Sequence, residues 1–192
     1  MIIIVGITGA SGVIYGYRLL EILKNAGHEV HAIVSSPAWE VLKYECNVEP
    51  EQVKNRVDFL YEISNFSAGI ASGSYKTDAM VIVPCTMKTL GTIANGIADN
   101  LMGRAADVML KEGRPLILVP RETPLNSIHI ANMLKLSQAG VKIAPACPGF
   151  YHLPATVDEI VDMMVGKICD LLKIETNLFR RWAGTCQFKQ EV

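Results

Sequence analysis

Three short segments of this chain hold the side chains that could do chemistry, and each follows an apolar run. The first is Gly6-Ile7-Thr8-Gly9-Ala10-Ser11-Gly12. Glycines at such a turn let backbone N–H groups approach an anion, and a helix opening there adds a partial positive charge. The spacing is GxxGxxG rather than GxGxxG, and Ser35-Ser36-Pro37 after the next apolar run offers no acid to grip a ribose. That pattern suits flavin mononucleotide (FMN) better than NAD. The second segment is Pro84-Cys85-Thr86-Met87-Lys88-Thr89, whose Thr86, Lys88 and Thr89 can face a phosphate at a helix start. Cys85 has no histidine placed to activate it and reads as small core filler. The third is Arg121-Glu122-Thr123-Pro124. Arg121 offers a bidentate fork for phosphate, and Glu122 a carboxyl able to carry protons. A plain Arg–Glu surface pair is the alternative for these two.

Other charged and aromatic residues are weaker in isolation. Arg104 and Lys111, seven apart, share a helix face, and Asp107 is placed to pair with Arg104. Tyr151, Lys167 and the run Arg180-Arg181-Trp182 carry no chemistry by spacing alone.

These segments need a frame, and the hydrophobic pattern supplies one. The continuous apolar run at residues 2–7 reads as a strand buried on both faces, residues 79–83 as another buried strand, 29–34 and 115–119 as strands and 141–144 as a last core strand. Helical spacing covers residues 11–25, 37–46, 87–95, 100–111, 127–138 and 157–173. Ser36 is the expected N-cap of the second of these, and Thr156 with Glu159 the expected capping box of the last. Residues 47–74 are polar and aperiodic, the pattern of a long functional loop. Alternating strands and helices predict a doubly wound, Rossmann-like α/β fold: a parallel sheet with helices on both faces in a single domain. The domain is expected over residues 1–182, with 183–192 as a C-terminal tail.

Composition narrows the function classes. The chain has 192 residues, half of them hydrophobic, and a net charge of −1, which argues against a dedicated nucleic-acid or membrane-surface binder. Mean hydropathy is +0.27, yet no apolar run approaches the ~20 residues that span a bilayer. The excess belongs in a two-sided core or in contacts between subunits. Five scattered cysteines without a CxxC fit a reducing cytoplasm. The four histidines are not at metal-ligand spacing, so no metal is expected.

Together the segments GITGASG, ASGSYKTDAMVIVPCTMKTL, NLMGRAADVMLKEGRPLILVPRETPL, IHIANMLKLSQAG and PGFYHLP resemble the UbiX-like flavin prenyltransferases, over residues 2 to about 182. The resemblance implies transfer of a dimethylallyl group from dimethylallyl monophosphate to reduced FMN, by N5 alkylation and ring closure through C6. The product, prenylated FMN, would serve a partner UbiD-type decarboxylase. It further implies a homo-oligomer, a dodecamer built of trimers. Gly9, Ala10, Ser11, Ser35, Thr86, Met87, Lys88, Thr89 and Arg121 would hold FMN. Arg104, Lys111, Glu122, Tyr151 and Lys167 would surround the substrate phosphate, with Phe66 and Trp182 as aromatic faces for the allyl group. Glu122 and Ser11 would pass protons. Thr86 stands where many members have Ser, and Lys167 where many have Arg, keeping charge but not the fork. The alternatives are an FMN-dependent cysteine decarboxylase of the same fold and a non-catalytic flavin-binding subunit of a decarboxylase complex.

Overall fold

Along the chain the elements are β1 (Ile2–Ile7), α1 (Val13–Asn25), β2 (Glu29–Val34), α2 (Ser36–Cys46), α3 (Pro50–Lys54) and β3 (Phe59–Tyr61). Then follow β4 (Ala79–Cys85), α4 (Met87–Ala94), α5 (Leu101–Lys111), β5 (Leu116–Pro120), α6 (Ser127–Gln138), β6 (Lys142–Ile143) and α7 (Val157–Leu171). The computed structural model describes residues 1–184, so all but the start of the expected tail lies outside the described residues. The chain forms two compact units, Met1–Ala146 with the whole sheet and a second from Cys147 onward with α7.

The sheet is parallel throughout, in the order β3-β2-β1-β4-β5-β6. Its two central strands are buried on both faces, as the uninterrupted apolar runs require. Alternation then sorts side chains between two helical layers. Ile4, Met80, Ile82, Leu116 and Leu118 join Met102, Ala105, Ala106 and Met109 of α5 in one cluster. Ile7 and the Val83 carbonyl lie against α1 on the opposite face. Each fully buried Ile, Leu or Met among these is worth about 1.5–3 kcal/mol.

Five local expectations are corrected. Ser35, not Ser36, caps α2, its hydroxyl accepting from the Ala38 N–H at 3.3 Å, and Pro37 sits one position further in. Residues 47–74 are not one loop: they contain α3 and β3, and β3 pairs with β2 where the rings of Phe59 and His31 stack at 4.5 Å. A three-residue strand is too short to show a period. Strand β4 runs through Pro84 to Cys85, because a register shift between Ile82 and Cys85 frees that position from ladder bonding. The expected core strand at 141–144 shrinks to the two-residue edge strand β6, with only Val141 buried. Thr156 does cap α7, but the Glu159 carboxylate reaches back to the Ala155 N–H at 2.6 Å, one residue short of a capping box.

Candidate active site

The strand order reverses between β1 and β4: β2 and β3 lie to one side, β5 and β6 to the other. Loops leaving the carboxyl ends of two such strands part in opposite directions and open a crevice. Thr8 joins the two loops there. Its backbone N–H and its hydroxyl both donate to the Pro84 carbonyl, at 3.2 and 2.8 Å. The same hydroxyl oxygen accepts from the Thr86 N–H at 2.9 Å, and the residue is buried. Thr86 in turn caps α4: its hydroxyl accepts from the Thr89 N–H at 3.2 Å and donates to the Thr89 hydroxyl at 3.0 Å. Thr89 therefore keeps its own hydroxyl proton for a ligand.

Glycine is needed twice in the first loop. A Cβ on Gly9 would lie 2.5 Å from Pro37 Cβ, so this glycine lets the loop rest on the start of α2. Gly12 has φ of 94°, a left-handed turn into α1 that a side chain would strain.

A cavity of about 300 Å³ occupies the crevice. Gly9, Ser35, Pro37, Thr86, Lys88, Thr89 and Asn100 line it, with Ile63 as an apolar wall. Three helices begin at its edge, capped by Ser35, by Thr86 and by Asn100, whose side-chain oxygen accepts from the Gly103 N–H at 2.9 Å. Each helix start contributes a partial positive charge, and Lys88 adds a full one. Asp99 also lines the cavity, its carboxylate turned to the Asn100 side-chain amide at 2.9 Å. This donor set fits the phosphate and hydroxylated chain of FMN: hydroxyls to pair with hydroxyls, and positive helix ends for a dianion.

The other expected residues divide into groups. Ala10 is buried behind the first loop, and Met87 packs half-buried against the core. The Ser11 carbonyl accepts from Arg121 Nε at 3.0 Å, tying the third segment to the first. The start of α1, expected to face a ligand anion, already meets an internal one: the Gly12 N–H donates to Glu45 at 2.8 Å. The Arg–Glu surface pair does not form among the described residues. The Glu122 carboxylate instead accepts from the Thr123 N–H at 3.0 Å.

Arg104, Lys111 and Phe66 lie outside the cavity lining. Arg104 bonds the Ala71 carbonyl at 3.0 Å and pairs with Asp107 at 2.6 Å, as its spacing predicts; Lys111 pairs with Glu112. Phe66 is half exposed. Tyr151, Lys167 and Trp182 belong to the second unit, where the Tyr151 and Trp182 rings meet edge to face at 5.9 Å. Thr8, Thr92, Asp99 and Asn100 were not expected in the lining. A threonine between glycines at a strand end, and an asparagine opening a helical run, were the signals for the first and last. Among the described residues no three His, Cys, Asp or Glu side chains gather as a metal ion would need. None of the described helices is long and apolar enough to cross a membrane.

Comparison with known proteins extends this picture over nearly the whole chain. Residues 1–174 match the family model described as Flavoprotein. The flavin prenyltransferase UbiX of Methanothermobacter thermautotrophicus is 52% identical over 182 residues, 95% of each chain. The crystal structure of AnUbiX in complex with FMN and dimethylallyl pyrophosphate superposes with a TM-score of 0.94 at 42% identity, covering 95% of this chain and 97% of that one. A dodecameric FMN-dependent UbiX-like decarboxylase from Escherichia coli O157:H7 gives the same TM-score at 45% identity, over 96% and 100%. With the glycine turn, the capped Thr86 loop and the Arg121-Glu122 strand end all inside the matched span, the chain belongs to the Flavoprotein family and, within it, to the UbiX-like flavin prenyltransferases.

Proposed function

We infer that this protein transfers a dimethylallyl group from dimethylallyl monophosphate to reduced FMN, at N5 and then through C6. The observation that carries the reading is the convergence of three helix starts, paired threonine hydroxyls and Lys88 on one cavity at the switch of strand order. Reduced FMN, when bound, supplies the electron-rich atoms that accept the allyl group. The chain supplies everything else. Two phosphate monoesters carry about −3 to −4 together at neutral pH. Lys88 and Arg121, with Arg104, Lys111 and Lys167 once they turn from Asp107, Glu112 and Asp170 to the phosphates, offset that charge without a metal ion, so turnover survives chelation. Breaking an allylic C–O bond leaves positive charge on carbon, which the faces of Phe66 and Trp182 stabilise. Tyr151 orients the donor phosphate, and Glu122, with Ser11, moves the protons the reaction releases and consumes. The catalytic unit is residues 1–182, working in the cytoplasm and handing prenylated FMN to a UbiD-type decarboxylase.

The protein works as a homo-oligomer, a dodecamer like the E. coli relative. Helix α6 supports this: Ile128, Ile130 and Leu134 are more than half exposed on it, and Leu136 is its one buried residue. Such apolar surface calls for cover by other copies of the chain. Anaerobic incubation with reduced FMN and dimethylallyl monophosphate, followed by mass spectrometry of the flavin, tests the activity. A flavin heavier by one prenyl group is expected; an unmodified flavin overturns the reading.

A further inference from the structure

Tyr151, Lys167 and Trp182 come from three separate pieces of the second unit: the segment before α7, α7 itself and the segment after it. One carboxylate links all three. Asp170 accepts both terminal nitrogens of Arg181, at 2.9 and 2.7 Å, in a two-pronged contact. The same carboxylate lies 3.5 Å from Lys167 Nζ, one helical turn back. Arg181 also donates to the Thr176 carbonyl at 3.4 Å and lies over the Phe179 ring at 5.2 Å. The next residue is Trp182, whose ring meets Tyr151; Tyr151 meets His152 at 5.8 Å, and His152 meets Phe179 at 6.3 Å. The path thus closes on itself, from Asp170 through Arg181 to Phe179, along three edge-to-face ring contacts to Trp182 and back to Arg181. Both His152 nitrogens are buried without a hydrogen-bond partner among the described residues, so ring packing is what holds His152 in this path.

We propose that Asp170 and Arg181 are positioning residues, a clamp that sets Trp182 and Tyr151 beside the donor and leaves Lys167 free to turn to its phosphate. This rests on the assignment of those three residues to the donor under the proposed function. The geometry favours positioning over bulk stability. Arg181 is half exposed, and exposed ion pairs add little to global stability. A bidentate fork, by contrast, fixes direction as well as distance. Asp170 holds Arg181 at a shorter distance than Lys167, so the lysine is the loosely held partner. The Arg181 guanidinium also keeps the Asp170 carboxyl below the usual carboxylate range, so the clamp is closed at neutral pH.

Asp170→Asn separates positioning from charge. Removing a negative charge beside a phosphate site lowers the KM for dimethylallyl monophosphate if charge alone matters. Loss of positioning raises it. The chain has two tryptophans, so a Trp39→Phe background makes Trp182 the reporter. In that background we expect Asp170→Asn to raise the KM about tenfold, the size of one charge-assisted contact, with kcat and FMN affinity within about twofold. Trp182 emission should shift to the red and its anisotropy fall. Arg181→Lys, which keeps the charge but not the fork, should recover part of the KM and part of the emission shift. A lowered or unchanged KM overturns the proposal, as does a joint loss of kcat, FMN binding and melting temperature. Should the parent protein fail to prenylate FMN, the functional reading falls on that result. Trp182 emission then still decides the clamp: a shift in Asp170→Asn supports it and an unchanged spectrum overturns it.

Discussion

The loops after β4 and β5 leave neighbouring strands of one sheet, yet they are built in opposite ways. In the loop after β4 the donors and acceptors are paired before any ligand arrives: Thr8 to Pro84 and Thr86, Thr86 to Thr89. In the loop after β5, Arg121 is tied by a single bond to the Ser11 carbonyl, and the exposed Glu122 uses one carboxylate oxygen on Thr123. Its other oxygen has no partner among the described residues. A surface that must present donors in fixed directions gains from internal pairing, because its geometry costs no reorganisation on binding. A carboxyl that must take up and release a proton needs an uncommitted oxygen. The two designs match the holding and shuttling roles proposed for them.

Substitutions can break that contrast or sharpen it. The largest effect is expected at Glu122. Glu122→Gln keeps shape and hydrogen bonding but cannot exchange the proton, so single-turnover prenylation should slow by ~10²-fold or more with FMN affinity within a few-fold. Near-parental turnover would remove the shuttling half of the comparison. Next comes Thr8→Val, which keeps the shape but strips the hydroxyl and leaves the Thr86 N–H unsatisfied. Unfolding by denaturant should show a loss of about 1–3 kcal/mol, with weaker FMN binding alongside it. Full stability would mean the loops do not depend on each other.

Lys88→Met should weaken FMN binding by about tenfold and flatten its dependence on salt, with no change in melting temperature. The smallest effect lies away from both loops and serves as a control. Asp58 accepts from the Lys24 ammonium and the Val30 N–H, and these contacts hold its carboxyl below the usual range. Its contribution is present above the ordinary carboxylate value of about 4 and fades as pH falls through the lower folded value. Asp58→Asn should therefore lower stability at neutral pH and reduce its acid sensitivity, while FMN affinity stays the same.

Most of the frame was legible: the central strands Ile2–Ile7 and Ala79–Cys85 are apolar runs, and the strand Glu29–Val34 and the helix Ser127–Gln138 stand where the pattern puts them. Gly9, Ser35, Thr86, Lys88 and Thr89, which line the cavity, were legible as candidates because small, hydroxylated and cationic residues gather there at strand ends. The bond from Thr8 to Thr86 was not, since it joins residues 78 positions apart and leaves no local signal. Strand β3 escaped because three residues carry no period, and the Ser35 cap because two adjacent serines precede the proline. Arg104, Lys111, Tyr151 and Lys167 were joined to the chemistry by resemblance alone. Within the described residues Arg104, Lys111 and Lys167 face carboxylates of their own chain, and Tyr151 an aromatic ring. Asn126, Thr86 and Asn100, by contrast, each precede a helix whose start they cap.

Cys85 sits at the tip of β4, next to Thr86, with no exposed surface at all. Burial pushes its thiol far above the usual cysteine range. Thiolates are soft nucleophiles, whereas the protonated thiol attacks carbon poorly. An enzyme that makes an allylic carbocation beside a thiolate would alkylate itself and stop. Here the Cys85 sulfur is kept protonated and walled off beside Thr86, its weak hydrogen bond spent on the Thr86 carbonyl at 3.6 Å. The same tight core that places Thr86 thus also guards the catalyst against suicide inactivation.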